Sequence, residues 1–260
     1  MEITDTEIIN LIEAWLWPFF RIAGLLMTAP FIGTRTVPMT LRLILAISIA
    51  IAVAPSVPAF DYVDPISAKG LMITIQQVMI GAGIGIVIRI IFMVLEVGGE
   101  VIAMQMGLGF AAMVDPANGR QVPVLSQFYV ILATLIFFSL NGHLILIQVV
   151  IDSFKTLPIG VEGITRDDAW GVVTWGGWLL SSAVLIALPA IAAMMIVNLS
   201  FGVMTRAAPQ LNIFAVGFPI MMIMGMFILS MTLSNMQGHI ADLFEQAFLL
   251  ARSIAKIGGP

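Results

Sequence analysis

The sequence predicts an all-α membrane protein, and three observations support this prediction. Hydrophobic residues make up 60% of the 260 residues, and charged residues only 10%. The mean hydropathy is +1.08, and the apolar residues form long continuous runs instead of the short alternating runs of a β-barrel. A soluble domain has about 25% charged residues, so this chain carries more apolar surface than a water-soluble core can hide. Because only helices and closed barrels satisfy their backbone in lipid, we expect helices.

Six apolar stretches and a tail account for most of the chain. Crossing the hydrocarbon layer takes about 20 helical residues, and most of the stretches are longer than that. The tail, Ala241–Ile257, has the pattern of an amphipathic helix. The six stretches are Ile8–Ile32, Leu41–Phe60, Leu71–Leu95, Val122–Ile151, Gly171–Met204 and Leu211–Met236.

Proline residues interrupt three of these stretches, at Pro18, Pro189 and Pro219. A proline inside a helix removes a hydrogen bond and bends or ends the helix. The sequence therefore predicts membrane-associated helical hairpins with broken helices, within a single membrane domain of residues 1–260. Six simple spans are the alternative.

The charges exclude some classes of function and leave the topology open. The net charge is −4 and no basic cluster occurs, which argues against nucleic acid as a partner. The acidic N-terminus lacks the basic region of a secretory signal, so we expect the first stretch to remain in the mature protein. Loop arginines and lysines divide four against five between the two sides, so the positive-inside rule assigns no orientation.

Catalytic, metal-binding and cofactor-binding patterns are absent from the sequence. The chain has no cysteine, and its two histidines, His143 and His239, are far apart in sequence, with no second histidine or cysteine at the spacing of a helical metal site. The GLGFAA motif at Gly107 matches a dinucleotide-binding pattern, but no strand precedes it. The GAGIG motif, Gly81–Gly85, instead favours close packing of two helices. We therefore expect a non-enzymatic protein without cofactors.

Five charged residues in or beside the apolar stretches are candidates for buried ion pairs or subunit contacts. Charged groups within membrane segments usually face protein or water and pair with another group. Glu96 follows Arg89 by seven positions, and Glu100 follows Glu96 by four, so these three side chains share one helix face. Extension of Arg89 to the membrane interface is the alternative. The candidates are Arg21, Arg89, Glu96, Glu100 and Arg206.

The stretch QMGLGFAAMVDP, which begins at Gln105, predicts an apolar loop in the middle of the chain. Gly107 and Gly109 permit unusual backbone angles, turn signals follow them, and Pro123 delays the next helix. Irregular backbone at membrane depth is tolerated only against protein or a water-filled cavity. Such a loop either blocks a channel or is a re-entrant turn packed on its neighbours. Its tip consists of Leu108, Phe110, Ala111, Ala112, Met113 and Val114.

Several motifs, in order along essentially the whole chain, resemble those of a known family. They are WLWPFFRIAGLLMTAP near the start, QMGLGFAAMVDP in the middle, then NGH and LPIG, and RAAPQLNIFAVGFP from Arg206 to Pro219. The chain resembles the FliR/SctT family of export-gate subunits of type III secretion systems.

The resemblance implies a core subunit of the flagellar protein export gate in the bacterial inner membrane, at the flagellar basal body. Members assemble with FliP and FliQ subunits into a closed helical complex, FlhB surrounds its entrance, and unfolded flagellar proteins pass through it. The resemblance also implies a FliP-like half, about residues 1–165, followed by a FliQ-like half, about residues 166–260. It identifies a pore-plugging loop of Gly107, Leu108, Gly109, Phe110, Met113 and Val114. Some relatives have an aromatic residue where this chain has Met113.

Two other functions remain open from the residues alone. A small-solute transporter would use broken helices around a central site. A scaffold would organise other subunits of a membrane complex without lining the pore.

Overall fold

The computed structural model describes residues 5–34, 37–60, 63–108, 124–161, 163–208 and 213–257, and it describes no side chain in 5–14, 213–215 or 234–235. The described residues contain helices and connecting turns, and no strand occurs among them. Helices are α1 (Asp5–Thr28), α2 (Met39–Val53), the 3₁₀ helix η1 (Ala54–Ser56), α3 (Ala68–Gln105), α4 (Val124–Ser139), α5 (Gly142–Thr156), α6 (Arg166–Ala207) and α7 (Ile213–Ile254). The predicted all-α class is confirmed.

Four helical segments among the described residues are long and apolar enough to cross a membrane. They lie in α2 with η1, in α3, in α6 and in the first half of α7. A fifth candidate is the pair α4 and α5, which bend by 62° across a short break. Asn141 forms that break in the left-handed conformation, with φ 54°. The prediction of a broken helix is confirmed in this pair.

None of the three prolines ends a helix. Pro18 lies inside α1, Pro189 inside α6 and Pro219 inside α7, and the helix continues through each of them. The φ angle that proline imposes is close to the helical one, so the ring removes one hydrogen bond without forcing the helix to end. Between apolar neighbours, local adjustments can satisfy the freed carbonyl.

Two predicted boundaries also differ from the structure. The last apolar stretch and the amphipathic tail form one helix, α7, of 42 residues. α3 continues beyond Leu95 to Gln105, through Gly98 and Gly99. The predicted stretches followed the apolar runs, which end where charged and glycine residues begin, but a glycine lowers helix stability by only about 1 kcal/mol. Packing of a long apolar helix overrides that preference.

The chain divides into two compact units. Unit 1 comprises Met1–Ile91, Asn141–Gly176 and Phe244–Pro260, and unit 2 comprises Phe92–Leu140 and Gly177–Leu243. The two predicted halves, about 1–165 and about 166–260, were defined by their expected similarity to FliP and FliQ subunits. This division stays a prediction.

Within unit 1, glycines bring α1 and α3 into backbone contact. A methyl group on Gly81 would overlap the carbonyl oxygen of Arg21, and one on Gly24 would lie 2.5 Å from the carbonyl oxygen of Val78. The hydroxyl of Thr28 donates to the carbonyl of Ala82, at 3.2 Å, across the same contact. The prediction that the GAGIG motif allows two helices to approach closely is confirmed.

A Gly81→Ala substitution is expected to destabilise the protein by about 2–3 kcal/mol, because the new methyl group meets backbone that cannot rotate away. The matched control is Gly202→Ala in α6, where nothing described lies within 4 Å of an added methyl group. Alanine is the better helix former by about 1 kcal/mol, so the control should be neutral or stabilising. Thermal unfolding in mild detergent, followed by circular dichroism, measures both. Equal stability of the two variants would contradict the tight contact.

Candidate functional site

Arg21 is fully buried in unit 1, and its guanidinium joins three segments of the chain. Nε donates to Oε1 of Gln77 in α3, at 2.8 Å. Nη1 donates to the hydroxyl of Ser153 in α5, at 2.9 Å, and Nη2 donates to the carbonyl of Leu157, just after α5, at 2.8 Å. The guanidinium carbon lies 4.1 Å from the centre of the Phe154 ring. The group is thus both hydrogen-bonded and stacked on an aromatic face.

The partners of Arg21 are neutral. Among the described residues, no carboxylate lies within 4.0 Å of its guanidinium. A buried charge is tolerated only when hydrogen bonds replace its hydration, and three oriented acceptors with a π face supply that replacement here. The sequence predicted burial and a partner for Arg21, and no sequence pattern indicated that Gln77 and Ser153 would be the acceptors.

The other four predicted charged residues lie on the protein surface. Arg89 and Glu100 on α3 are exposed, Glu96 between them is partly exposed, and Arg206 is exposed in the last turn of α6. In the part of the chain that the structure describes, the only ion pair is Lys155 with Asp152. A role of these four residues in subunit contacts stays a prediction.

The base of the predicted apolar loop is described, and it ends α3 in a defined way. Gly107 has φ +79°. Its N–H donates to the carbonyl of Met104 at 3.0 Å, and the N–H of Leu108 donates to the carbonyl of Ala103 at 3.0 Å. These two bonds form a Schellman motif with glycine at the left-handed position. The first glycine of the loop is therefore required by the helix end.

The same helix end packs on the first half of α7, within unit 2. Met106 is buried, and a methyl group on Gly225 would lie 2.6 Å from its Cε. A methyl group on Gly107 would lie 3.4 Å from Cδ2 of Phe218 and 3.7 Å from Cε of Met221. The absence of a side chain at Gly225 thus makes room for Met106. Gly225 was not predicted as part of this contact. The available signal in the sequence was a glycine among the closely spaced methionines of α7, Met221–Met226.

The rest of the predicted plug lies outside the described residues: Gly109, Phe110, Met113 and Val114. The sequence-based interpretation of that loop as a plug therefore stays a prediction. His143 is exposed at the start of α5, after the turn at Asn141. Among the described residues, no group of three metal-ligating side chains comes together.

An Arg21→Met variant is expected to lose about 2–5 kcal/mol of stability, because methionine leaves the Gln77 and Leu157 oxygens buried without their donors. The matched control is Arg252→Met, at an exposed arginine of α7, which should change stability by no more than about 0.5 kcal/mol. Thermal unfolding of both variants in detergent tests the expectation. Wild-type stability of Arg21→Met would contradict a stabilising role for this centre.

Comparison with known proteins identifies the family. Residues 12–247 match the family described as bacterial export proteins, family 1. The chain is 35% identical to the flagellar biosynthetic protein FliR of Escherichia coli K12, over 99% of this chain and 98% of that protein. It is 35% identical to the FliR protein of Pectobacterium carotovorum over 95% of each chain, and 25% identical to that of Bacillus subtilis over 97% and 98%. The chain therefore belongs to the FliR family of bacterial flagellar export proteins, as its motifs predicted.

Proposed function

We propose that this chain is a core subunit of the flagellar type III protein export gate in the inner membrane. In this function it forms a closed pore with FliP and FliQ subunits, FlhB lies at the entrance, and unfolded flagellar proteins are the cargo. The observation that supports it best is an exposed apolar surface on α6 that is longer than the hydrocarbon core of a bilayer is thick.

The exposed aliphatic side chains of α6 extend from Val173 to Val203, which are 62% and 69% exposed. At 1.5 Å per residue, these 30 residues span about 45 Å of helix. The hydrocarbon core of a bilayer is about 30 Å thick. Fitting the surface into that layer needs a tilt of about 48°, whereas transmembrane helices tilt by about 0–40°. A surface longer than the hydrocarbon core favours coverage of one end by other protein, as expected for a subunit of an assembly.

The charged face of α3 supports the same conclusion. α3 has 38 residues, or about 57 Å, and cannot lie wholly in hydrocarbon. Arg89 and Glu100 are exposed on it, and a charged side chain at the membrane centre costs about 2.5–3.5 kcal/mol on insertion scales. These residues therefore face water or a neighbouring subunit in the proposed complex. A residue beside a pore can contact water or a neighbouring subunit, whereas a residue surrounded by lipid contacts neither.

The loop that begins at Gly107 is the proposed plug. The first residues of the loop are held in place, because Gly107 ends α3 and Met106 packs against Gly225. A seal held firmly at its base can be displaced at its tip without unfolding the helix that bears it. Phe110 and Met113 supply the largest apolar side chains of the tip, so we assign to them most of the sealing.

Shortening the plug side chains is expected to make cells leaky. A strain with Phe110→Ala and Met113→Ala should take up a small hydrophilic dye severalfold faster than wild type while flagellin export continues. Deletion of residues 107–114 should have a larger effect. Phe110→Leu with Met113→Leu keeps the apolar bulk and should remain sealed.

The control for the leak is Leu249→Ala, which truncates an exposed apolar residue of α7 outside the loop and should leave dye uptake unchanged. Normal dye exclusion by the deletion strain, with normal export, would contradict the plug and favour a scaffold that does not line the pore.

The proposed assembly is tested by the mass of the native particle. A tagged chain expressed in its native background and extracted gently should appear in native mass spectrometry with several FliP and FliQ subunits per copy. Arg206→Glu, which reverses an exposed charge on α6, is expected to lower the recovery of the complex if this residue contacts a neighbouring subunit.

Arg252→Glu on α7 is the matched charge reversal for the assembly experiment. A particle containing only this chain would contradict the proposal, and concentrative uptake of a solute by vesicles bearing it would then favour a transporter.

A further inference from the structure

The N-terminal end of α6 carries a concentration of tryptophan that the proposed export function does not use. Of the five tryptophans in the chain, three lie there: Trp170, Trp175 and Trp178. Trp170 is 69% exposed, and the other two are partly exposed. The remainder of α6 contains no tryptophan. An indole ring gains much by covering its large apolar area, so a ring as exposed as that of Trp170 favours contact with another apolar surface.

The residues before these tryptophans form a charged and capped helix start. Arg166 and Asp167 are exposed, and Asp168 is partly exposed. The N–H and the hydroxyl of Thr165 donate to Oδ2 of Asp168, at 2.8 and 2.7 Å, and the N–H of Asp168 donates to the Thr165 hydroxyl at 3.3 Å. This is a capping box. A charged side chain inside hydrocarbon costs about 2.5–3.5 kcal/mol, so this end of α6 lies outside the hydrocarbon core.

The residues after Trp170 have the opposite character. No Asp, Glu, Lys or Arg occurs from Ala169 to Thr205. Val173, Leu180 and Val184 are 62%, 64% and 47% exposed, and their spacing places them on the same helix face as Trp170. Charged, aromatic and aliphatic residues thus follow one another along one face. A helix that passes from water through the membrane interface into hydrocarbon has this order of residues.

We propose that the exposed face around Trp170 binds the interfacial region of a lipid bilayer, with the indole ring at the depth of the headgroups. Tryptophan suits this layer because its ring is apolar and its N–H donates to water or to lipid oxygens. Arg166 lies one turn before Trp170 on the same face, where its guanidinium can reach lipid phosphates. A protein partner would not require charged, aromatic and aliphatic residues in this order, so lipid is favoured.

The position of Trp170 then determines which end of α6 extends beyond the hydrocarbon. A core about 30 Å thick takes about 20 residues of upright helix, and about 26 at a tilt of about 40°. Counted from Val173, α6 leaves the hydrocarbon between about residues 193 and 199. Asn198 and Ser200 are exposed near this point, and Val203, also exposed, lies beyond it. The end of α6 that other protein covers is therefore the C-terminal one, and this step alone rests on the proposed function.

The test measures membrane depth along α6 with single labels, which the cysteine-free sequence permits. Gly171→Cys leaves Trp170 in place, and nothing described lies within 4 Å of a carbon added at Gly171. The full-length chain, with any subunits that stay bound, is labelled with bimane and reconstituted into vesicles of phosphatidylethanolamine and phosphatidylglycerol. Three quenchers are compared: iodide in water, a lipid with a nitroxide near the headgroup, and a lipid with a nitroxide near the end of its acyl chain.

The label at Gly171 should be quenched most strongly by the nitroxide near the headgroup. Asp167→Cys lies one turn earlier and outside the capping box, so its label should respond mainly to iodide. Val184→Cys should respond mainly to the deep nitroxide, because about 20 Å of helix separates it from residue 171. Gly202→Cys is the matched glycine control, since nothing described lies within 4 Å of a carbon added there either. Its label should respond to neither lipid quencher.

The indole ring of Trp170 is tested separately, through its own fluorescence. Trp170→Phe removes one tryptophan and keeps an aromatic ring, so the emission lost in this variant is that of Trp170. In wild type this part of the emission should be quenched more by a lipid brominated near the headgroup than by iodide. An unfolding temperature close to that of wild type checks that the variant is folded.

Four results would overturn the inference. A label at Gly171 that no quencher reaches would assign this face to a protein partner, and a label quenched mainly by iodide would place it in water. Strong quenching of the Gly202 label by the deep nitroxide would place the bilayer at the other end of α6. Emission of Trp170 that the brominated lipid does not quench would exclude contact of the ring with lipid. None of these depths depends on export or on the mass of the native particle, so the proposed function can fail or succeed separately.

Discussion

The backbone contact between α1 and α3 is the constraint on which the rest of unit 1 depends. Gly81 faces the carbonyl oxygen of Arg21. Because Gly81 has no side chain, the backbone of Arg21 packs directly against α3, and this contact fixes its position. The guanidinium then extends to Gln77 on α3 and to Ser153 on α5. A larger residue at Gly81 would displace the whole hydrogen-bonded set. Close packing and a buried charge are therefore two parts of one arrangement, in which small residues position a large polar one.

In unit 2 a comparable relation between small and large residues holds the end of α3. Gly225 leaves space on α7 for the Met106 side chain, and Gly107 provides the left-handed turn that ends the helix. Methionine suits such a place because its flexible thioether adapts to irregular gaps. The loop thus starts from a point held by backbone hydrogen bonds and by packing.

The sequence predicted the features that depend on local chemistry. Composition indicated the all-α membrane class, GAGIG the close helix contact, and Gly107 the start of a loop. It failed where distant packing decides the outcome. Pro189 and Pro219 were expected to bend or end their helices, and no helix ends at either of them. The acceptors of Arg21 could not be predicted either, because Gln77 and Ser153 are 56 and 132 residues away in sequence, and no periodic pattern links them.

The neutrality of the Arg21 partners bears on how a membrane export subunit keeps its shape. A carboxylate partner would strengthen the attraction but would lose its charge on protonation, leaving the buried guanidinium uncompensated. The Gln77 amide, the Ser153 hydroxyl and the Leu157 carbonyl do not titrate in the physiological range. Their hydrogen bonds to Arg21 are therefore unaffected by the pH on either side of a membrane. The carboxylates of α3, in contrast, are at least partly exposed at Glu96 and Glu100. The buried centre therefore contains no carboxylate among the described partners of Arg21, and the carboxylates of α3 lie outside it.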